Sequence, residues 1–208
     1  MIEVKTFVSG YLKNNSYLIY DPRFPEKSVL IDPSESFSQV KEYLNNNQLF
    51  ISDIFLTHGH FDHVIDVPRW KIYDVCVHIH KNEIPNITGY MTKNMLKNKK
   101  LSDIIVDDYF VDGRSYKICE SITLNVLFTP GHTAGSCSFV IDNMIFSGDT
   151  LFKESYGRTD FSDGNFSEIK NSIVKLFLLP EDFIIYPGHY EKTLLSYEKK
   201  YNPIRYDL

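Results

Sequence analysis

Asp53-Ile54-Phe55-Leu56-Thr57-His58-Gly59-His60-Phe61-Asp62-His63 decides how this chain is read: a short apolar strand runs straight into three imidazoles and a carboxylate. Imidazole and carboxylate ligands suit zinc, iron and manganese. His58 and His60 are two positions apart, so an extended backbone projects both to one side. Asp62 and His63 then lie past a turn and can serve a second ion. Gly59 removes a side chain where the loop must be tight. A surface cluster of histidines without metal is the bland alternative.

Three segments downstream weigh against that alternative. Thr129-Pro130-Gly131-His132-Thr133 follows the apolar run Ile122–Phe128, Ser147-Gly148-Asp149-Thr150 follows Met144–Phe146, and Pro187-Gly188-His189 follows Phe183–Tyr186. Each is an expected strand, a glycine, then one ligand-type residue. Singly, such a residue is a turn or a helix cap; together, behind His-x-His-x-Asp-His, they complete a set of seven. His78 and His80 form a second His-x-His pair with no Asp-His after it. They are read as a strand end and a helix start without a metal role.

Outward from these motifs, further strands are expected at Ile2–Val8, Ser16–Tyr20, Ser28–Ile31, Asp53–Leu56, Val75–Ile79, Ile104–Phe110, Ser115–Ile118 and Ser136–Ile141. Asp142-Asn143 marks a hairpin. Ser36–Asn45 reads as a helix with Phe37, Val40 and Leu44 on one stripe and Ser36 as N-cap. Phe166–Leu179 reads as an amphipathic helix on Ile169, Ile173, Val174 and Phe177. A helical tail carries Leu194, Tyr197 and Tyr201, and Lys81–Lys100 is helical or irregular with a solvated lysine face. Strands followed by a helix, twice over, indicate an α/β layered sandwich of two sheets with helices outside. The expected ligands fall just behind strands, where rigid sheets hold functional loops.

The chain has 208 residues, 43% hydrophobic and 24% charged, and is expected to form one domain over 1–208. That length buries a core without a structural metal, so a metal here is expected to be catalytic. Net charge is −5, which offers no bulk attraction to nucleic acid or an anionic membrane. Cys76, Cys119 and Cys137 form no Cys-x-x-Cys pair, and reduced thiols in a cytoplasm are expected. The N-terminal stretch lacks the apolar core of a signal peptide, and no segment reaches the roughly 20 apolar residues of a membrane span.

The ligand motifs together resemble the metallo-β-lactamase superfamily over nearly the whole chain. Gly148-Asp149-Thr150-Leu151-Phe152, Gly157-Arg158-Thr159-Asp160 and the closing Tyr197-Glu198-Lys199-Lys200-Tyr201-Asn202-Pro203 resemble its glyoxalase II-like branch, the hydroxyacylglutathione hydrolases and their short relatives. The resemblance implies a four-layer αβ/βα sandwich and two divalent ions, zinc first, iron or manganese next. It implies that His58, His60 and His132 hold one ion, Asp62, His63 and His189 the other, and that Asp149 bridges them. Asp62 and Asp149 would then share in the chemistry, in which a metal-bridged hydroxide attacks the carbonyl of a small thioester. A thiolate needs little acid assistance to leave, since a thiol's pKa is about 8.5.

Arg158 stands where those enzymes place a substrate-contacting Lys and can bind a carboxylate bidentately, the alternative being a structural pair with Asp160 or Asp163; Tyr190, after His189, is the other candidate substrate contact, the alternative being packing on the last helix. The chain closes shortly after His189, without the C-terminal helical domain that completes the glutathione site in those enzymes. Weak hydrolysis of S-lactoylglutathione is therefore expected. Two other readings compete: a mononuclear-iron persulfide dioxygenase of the same superfamily, and a non-catalytic metal-binding scaffold. A nuclease is weakest. A homo-oligomer stays open.

Overall fold

The computed structural model describes residues 1–180 and 182–207; Glu181 and Leu208, which the expected domain span includes, lie outside them. The first sheet runs in order through β1 (Glu3–Ser9), β2 (Asn14–Tyr20), β3 (Ser28–Ile31), β4 (Ile51–Phe55), β5 (Cys76–His80) and β6 (Asp108–Phe110). β1 to β3 pair antiparallel, and β3 to β6 pair parallel. The second sheet is built from β7 (Ser115–Lys117), β8 (Thr123–Phe128), β9 (Cys137–Ile141) and β10 (Met144–Gly148), joined at its far edge by β13 (Ile184–Pro187) and β14 (Thr193–Leu194). A separate two-stranded ribbon, β11 (Leu151–Phe152) and β12 (Ser155–Tyr156), follows β10.

Alternation along the strands sorts apolar residues into three cores. In β2, Leu18 and Tyr20 face outward with Val40 and Leu44 of helix α1 (Phe37–Asn47), while Tyr17 and Ile19 face the second sheet with Phe139 and Phe146. Two short helices, α2 (Phe61–Val64) and α3 (Val67–Trp70), and two more, α4 (Ile84–Ile87) and α5 (Tyr90–Asn98), complete the outer layer of the first sheet. On the far side, Ile169, Ile173 and Leu176 of α6 (Phe166–Phe177) and Leu195 of α7 (Leu195–Tyr201) pack on Ile145 and Ile185. Each such buried aliphatic contributes about 2 kcal/mol. The result is the expected αβ/βα sandwich.

Three local expectations are corrected. Only Asp108–Phe110 of the run from Ile104 pairs as a strand. Asp107 ends the ladder, because its Oδ2 takes the Val77 N–H at 2.8 Å and Lys71 Nζ at 2.7 Å, while Ile104 and Val106 pack unpaired against the outer core. Ser36 sits at the N-cap of α1, yet its hydroxyl bonds Ser16 Oγ, and the free Phe37 N–H is taken by Asp66 Oδ2 from across the layer at 2.9 Å. Leu194 belongs to β14 and not to the final helix.

β8 and β10 both run antiparallel to β9, and β13 runs parallel to β10, so these three strands end at one edge. The two sheets are tied at that edge: Cys137 N–H donates to Thr57 O at 2.9 Å and Asn15 N–H to Gly188 O at 2.8 Å. Loops from both sheets therefore converge in one place.

Candidate metal centre

Every one of the seven expected ligands reaches that edge. The ring nitrogens of His58, His60 and His132 meet there: His58 Nε2 is 3.1 Å from His60 Nδ1, which is 3.0 Å from His132 Nε2. Asp62, His63 and His189 form a second group, with His189 Nε2 3.4 Å and His63 Nε2 3.8 Å from Asp62 Oδ2. Within each trio, one ligand atom per residue lies within 4.8 Å of the others. Asp149 stands between them: Oδ1 is 3.4 Å from His63 Nε2, and Oδ2 is 3.5 Å from both His132 Nε2 and His189 Nε2.

On His58, His63, His132 and His189 the outer ring nitrogen is held by the protein, which turns the inner one toward the cluster. His132 Nδ1 donates to the Arg158 carbonyl at 2.8 Å, and His189 Nδ1 to the Leu12 carbonyl at 3.0 Å. His63 Nδ1 bonds Asp32 Oδ2 at 2.9 Å. Thr57 Oγ1 donates to the same carboxylate at 2.6 Å and is left to accept from His58 Nδ1 at 3.1 Å. Asp149 Oδ1 is buried with no hydrogen-bond partner. A buried anionic oxygen is expensive without a partner. Five imidazoles aimed inward around an orphaned carboxylate oxygen fit divalent cations.

The halves differ electrically. Burial holds His58 well below its ordinary pKa, helped by the neighbouring imidazoles, and the same causes bring His60 down to about 4. These rings present free lone pairs at neutral pH. At His63 burial acts downward, but the carboxylates of Asp149, Asp62 and Asp32 override it and lift the ring to about 10. His189 is also raised: burial is again opposed, here by Asp62 and Asp149. The carboxylate half thus holds protons that a bound cation would replace.

Two glycines before the ligands are required by close approach. A Cβ on Gly188 would overlap Asp149 Oδ1 and His63 Cε1. Gly131, at φ +131°, would drive one into the backbone of Ile169 in α6. The tail motif has a physical role too: Asn202 Nδ2 donates to Phe152 O at 3.3 Å and Ser155 O at 2.9 Å, pinning the β11–β12 ribbon beside the site.

Arg158 lies at the cavity mouth, where its guanidinium bonds both oxygens of Asp160 at 2.6 Å and stacks over Phe161 at 4.4 Å. That bond pulls Asp160 down to about 2. Tyr190 lines the same cavity, edge-on to Phe152 at 5.5 Å. His78 and His80 stay apart from the cluster. His78 comes within ligand distance of Asp53 and Cys76. Its two ring nitrogens, however, bond Asp53 Oδ1 at 2.9 Å and Asp108 Oδ2 at 3.2 Å, so the imidazole ties strands together. His80 stacks on Phe128.

Two supporting residues escaped the sequence reading. Asp32 follows the strand Ser28–Ile31 directly, as the expected ligands follow theirs, but without the glycine that marked Asp149. Glu83 carries no such signal. Its buried carboxylate takes the Gly59 N–H at 2.7 Å and Asn86 Nδ2 at 2.8 Å on one oxygen, and Thr133 Oγ1 and the Gly135 N–H, both at 2.7 Å, on the other. It clamps the two loops that carry His58, His60 and His132.

Residues 10–189 match the model of the metallo-β-lactamase superfamily. The chain belongs to that superfamily. Among its curated relatives are the probable metallo-hydrolase YqgX of Bacillus subtilis (strain 168), 30% identical with 93% of each chain covered, and the hydroxyacylglutathione hydrolase GloC of Haemophilus influenzae, 29% identical with 92% of each covered. Superfamily structures similar to it include the B3 metallo-β-lactamase BLEG-1, at 30% identity and TM-score 0.86 over 98% of both chains. ETHE1 from Myxococcus xanthus follows at 26% and 0.81, over 97% of this chain and 83% of that one. TTHA1623, solved in a di-iron-bound form, stands at 28% and 0.82, over 96% and 99%. The superfamily binds divalent metals, and the two trios here fit such a site.

Proposed function

We propose that this chain is a dinuclear metal-dependent hydrolase of the glyoxalase II-like type that cleaves thioesters. The observation that carries this reading is Asp149, one carboxylate reaching both ligand trios with a buried oxygen left unpartnered. His58, His60 and His132 would hold one ion, Asp62, His63 and His189 the other, with Asp149 between; zinc is the first choice, iron or manganese the next. The likeness to GloC and to di-iron TTHA1623 supports both halves of the proposal.

When bound, two ions supply Lewis acidity and lower the pKa of water at the site. The chain's own groups do the rest. Asp62 and Asp149 face the reacting position and hold the proton of the attacking water. The water oxygen bonds the acyl carbon, the carbon–sulfur bond breaks, and its electron pair leaves on sulfur, which takes up a proton. Arg158 offers its guanidinium to a substrate carboxylate in exchange for Asp160, and Tyr190 closes the mouth beside it.

Protein purified without chelator is expected to carry close to two ions per chain by elemental analysis and to turn over a thioester panel that includes S-lactoylglutathione. His80→Ala leaves that count unchanged. One equivalent of iron, with oxygen consumed on glutathione persulfide, would replace this reading with the dioxygenase. Faster turnover of a β-lactam than of any thioester would do the same in favour of a lactamase, the activity named for BLEG-1.

Arg158→Ala is expected to raise KM for carboxylated thioesters while leaving kcat nearly unchanged, as loss of uniform binding does. Arg158→Lys restores only part, because Lys cannot make the paired bonds. Equal falls in kcat and kcat/KM would place Arg158 in the chemical step instead.

A further inference from the structure

The cavity over the metal cluster has a volume of about 620 Å³, within the range of small-molecule sites. Its rim is apolar and stands in water. Tyr90 and Met91 of α5 are 86% and 62% exposed, Tyr190 is 73% exposed, and Leu12 and Phe161 are above 40%. These side chains come from four separate segments yet line one opening. Single exposed apolar residues need no explanation, whereas a contiguous collar around a site marks what the site binds.

Charge in the cavity points the same way. Beyond the metal cluster, Arg158 and Asp163 are the charged side chains among the described residues that line it. The Arg158 guanidinium is already bonded to Asp160, and Asp163 accepts from Asn86 Nδ2 at 2.9 Å. Beyond the metal cluster, a thiol carrier with several carboxylates or phosphates would meet one cation, and that one must give up Asp160 to receive it. An aliphatic chain leaving the cluster would instead cover Tyr90, Met91 and Leu12, removing apolar surface on both partners from water.

Resting on the thioesterase reading, we propose that the substrate is a thioester of an apolar acyl chain on a thiol bearing at most one carboxylate. The acyl carbon sits over Asp149, and the chain lies along the collar formed by Leu12, Tyr90 and Met91.

The test uses metal-loaded protein and straight-chain acyl thioesters, acetyl to octanoyl, of one small uncharged thiol, beside S-lactoylglutathione. kcat/KM is expected to rise about fourfold per added methylene until the cavity fills, and to exceed that for S-lactoylglutathione. Met91→Glu should flatten the slope, and its exposure makes the change tolerable to the fold. A rate independent of chain length, a preference for S-lactoylglutathione, or an unchanged slope in Met91→Glu overturns the proposal.

A second arm measures calorimetric binding of the non-hydrolysable S-alkyl thioethers of the same thiol. If no thioester is cleaved but thioether affinity still climbs with length and falls in Met91→Glu, the apolar pocket stands and the hydrolase reading fails. If thioethers bind equally at every length, the pocket proposal fails whatever the protein hydrolyses.

Discussion

Asp149→Ala is expected to abolish thioester turnover, by roughly 10³-fold or more, the scale on which losing a group at the reacting centre is felt. Its carboxylate is the shared neighbour of His63, His132 and His189, so one truncation weakens both trios. Metal content should fall with activity. The fold should survive, because the three apolar cores are built from strand and helix faces in which Asp149 takes no part. Removing the side chain also relieves a buried oxygen that has no hydrogen-bond donor. Asp149→Asn separates charge from shape: it keeps the volume, and on this account it still loses metal. Elemental analysis, circular dichroism and kcat/KM on the same preparations decide the matter. Wild-type kcat/KM in either variant would overturn the assignment.

Glu83→Ala is expected to give a large loss of stability for a polar residue outside the expected ligands. Four donors converge on its two oxygens, two of them backbone N–H groups of glycines. Hydrogen bonds to a charged group contribute about 1.5–3 kcal/mol each, and these four share one carboxylate, so a net loss of about 3 kcal/mol is a conservative figure. For a chain of this size that lowers Tm by about 10 °C. Glu83→Gln should fall between, since its amide nitrogen would face donors on one side. Because Glu83 joins the loops of Gly59 and Thr133, both variants should also weaken metal retention, by about 10- to 100-fold in chelator competition. A Tm within a degree or two of wild type in Glu83→Ala would show that the four contacts contribute little.

The seven expected ligands could be read from the sequence because four sit in one His-x-His-x-Asp-His run behind an apolar strand and the other three each follow an apolar strand and a glycine, and strand ends are fixed by local pattern. The role of those glycines was only half visible. The loop motif marked Gly59, yet what crowds it is Asn86, Glu83 and Ile87, and Gly188 is needed because Asp149 and His63 lie against it, all of them distant in sequence. The lysine-rich stretch up to Lys100 read as a solvated face, and Lys93, Lys97 and Lys100 are exposed as expected, while Lys99 is half-buried and paired with Glu35 at 2.9 Å. The same helix turns Tyr90 and Met91 over the cavity, a direction that no helical period in so short a segment could give.

Local pattern by itself determined the longer strands, α1 and α6, the layered class and the identity of the clustered imidazoles and carboxylates, but not the short β11, β12 and β14 or helices α2 and α3. Period-two alternation and strand-end motifs need nothing from elsewhere in the chain. Tertiary structure alone decided the rest. Glu83 works through backbone N–H groups that every sequence possesses, so only the approach of two loops makes it a clamp. Asp66 caps α1 in place of Ser36 because α3 is packed beside it, and Asp107 stops a strand by capturing the Val77 N–H. Arg158 shows the division within one residue. Its place in the Gly157-Arg158-Thr159-Asp160 segment marked it as a candidate contact and offered Asp160 as a local partner, which it bonds, while its position at the mouth of the cavity over the cluster follows from how the chain folds.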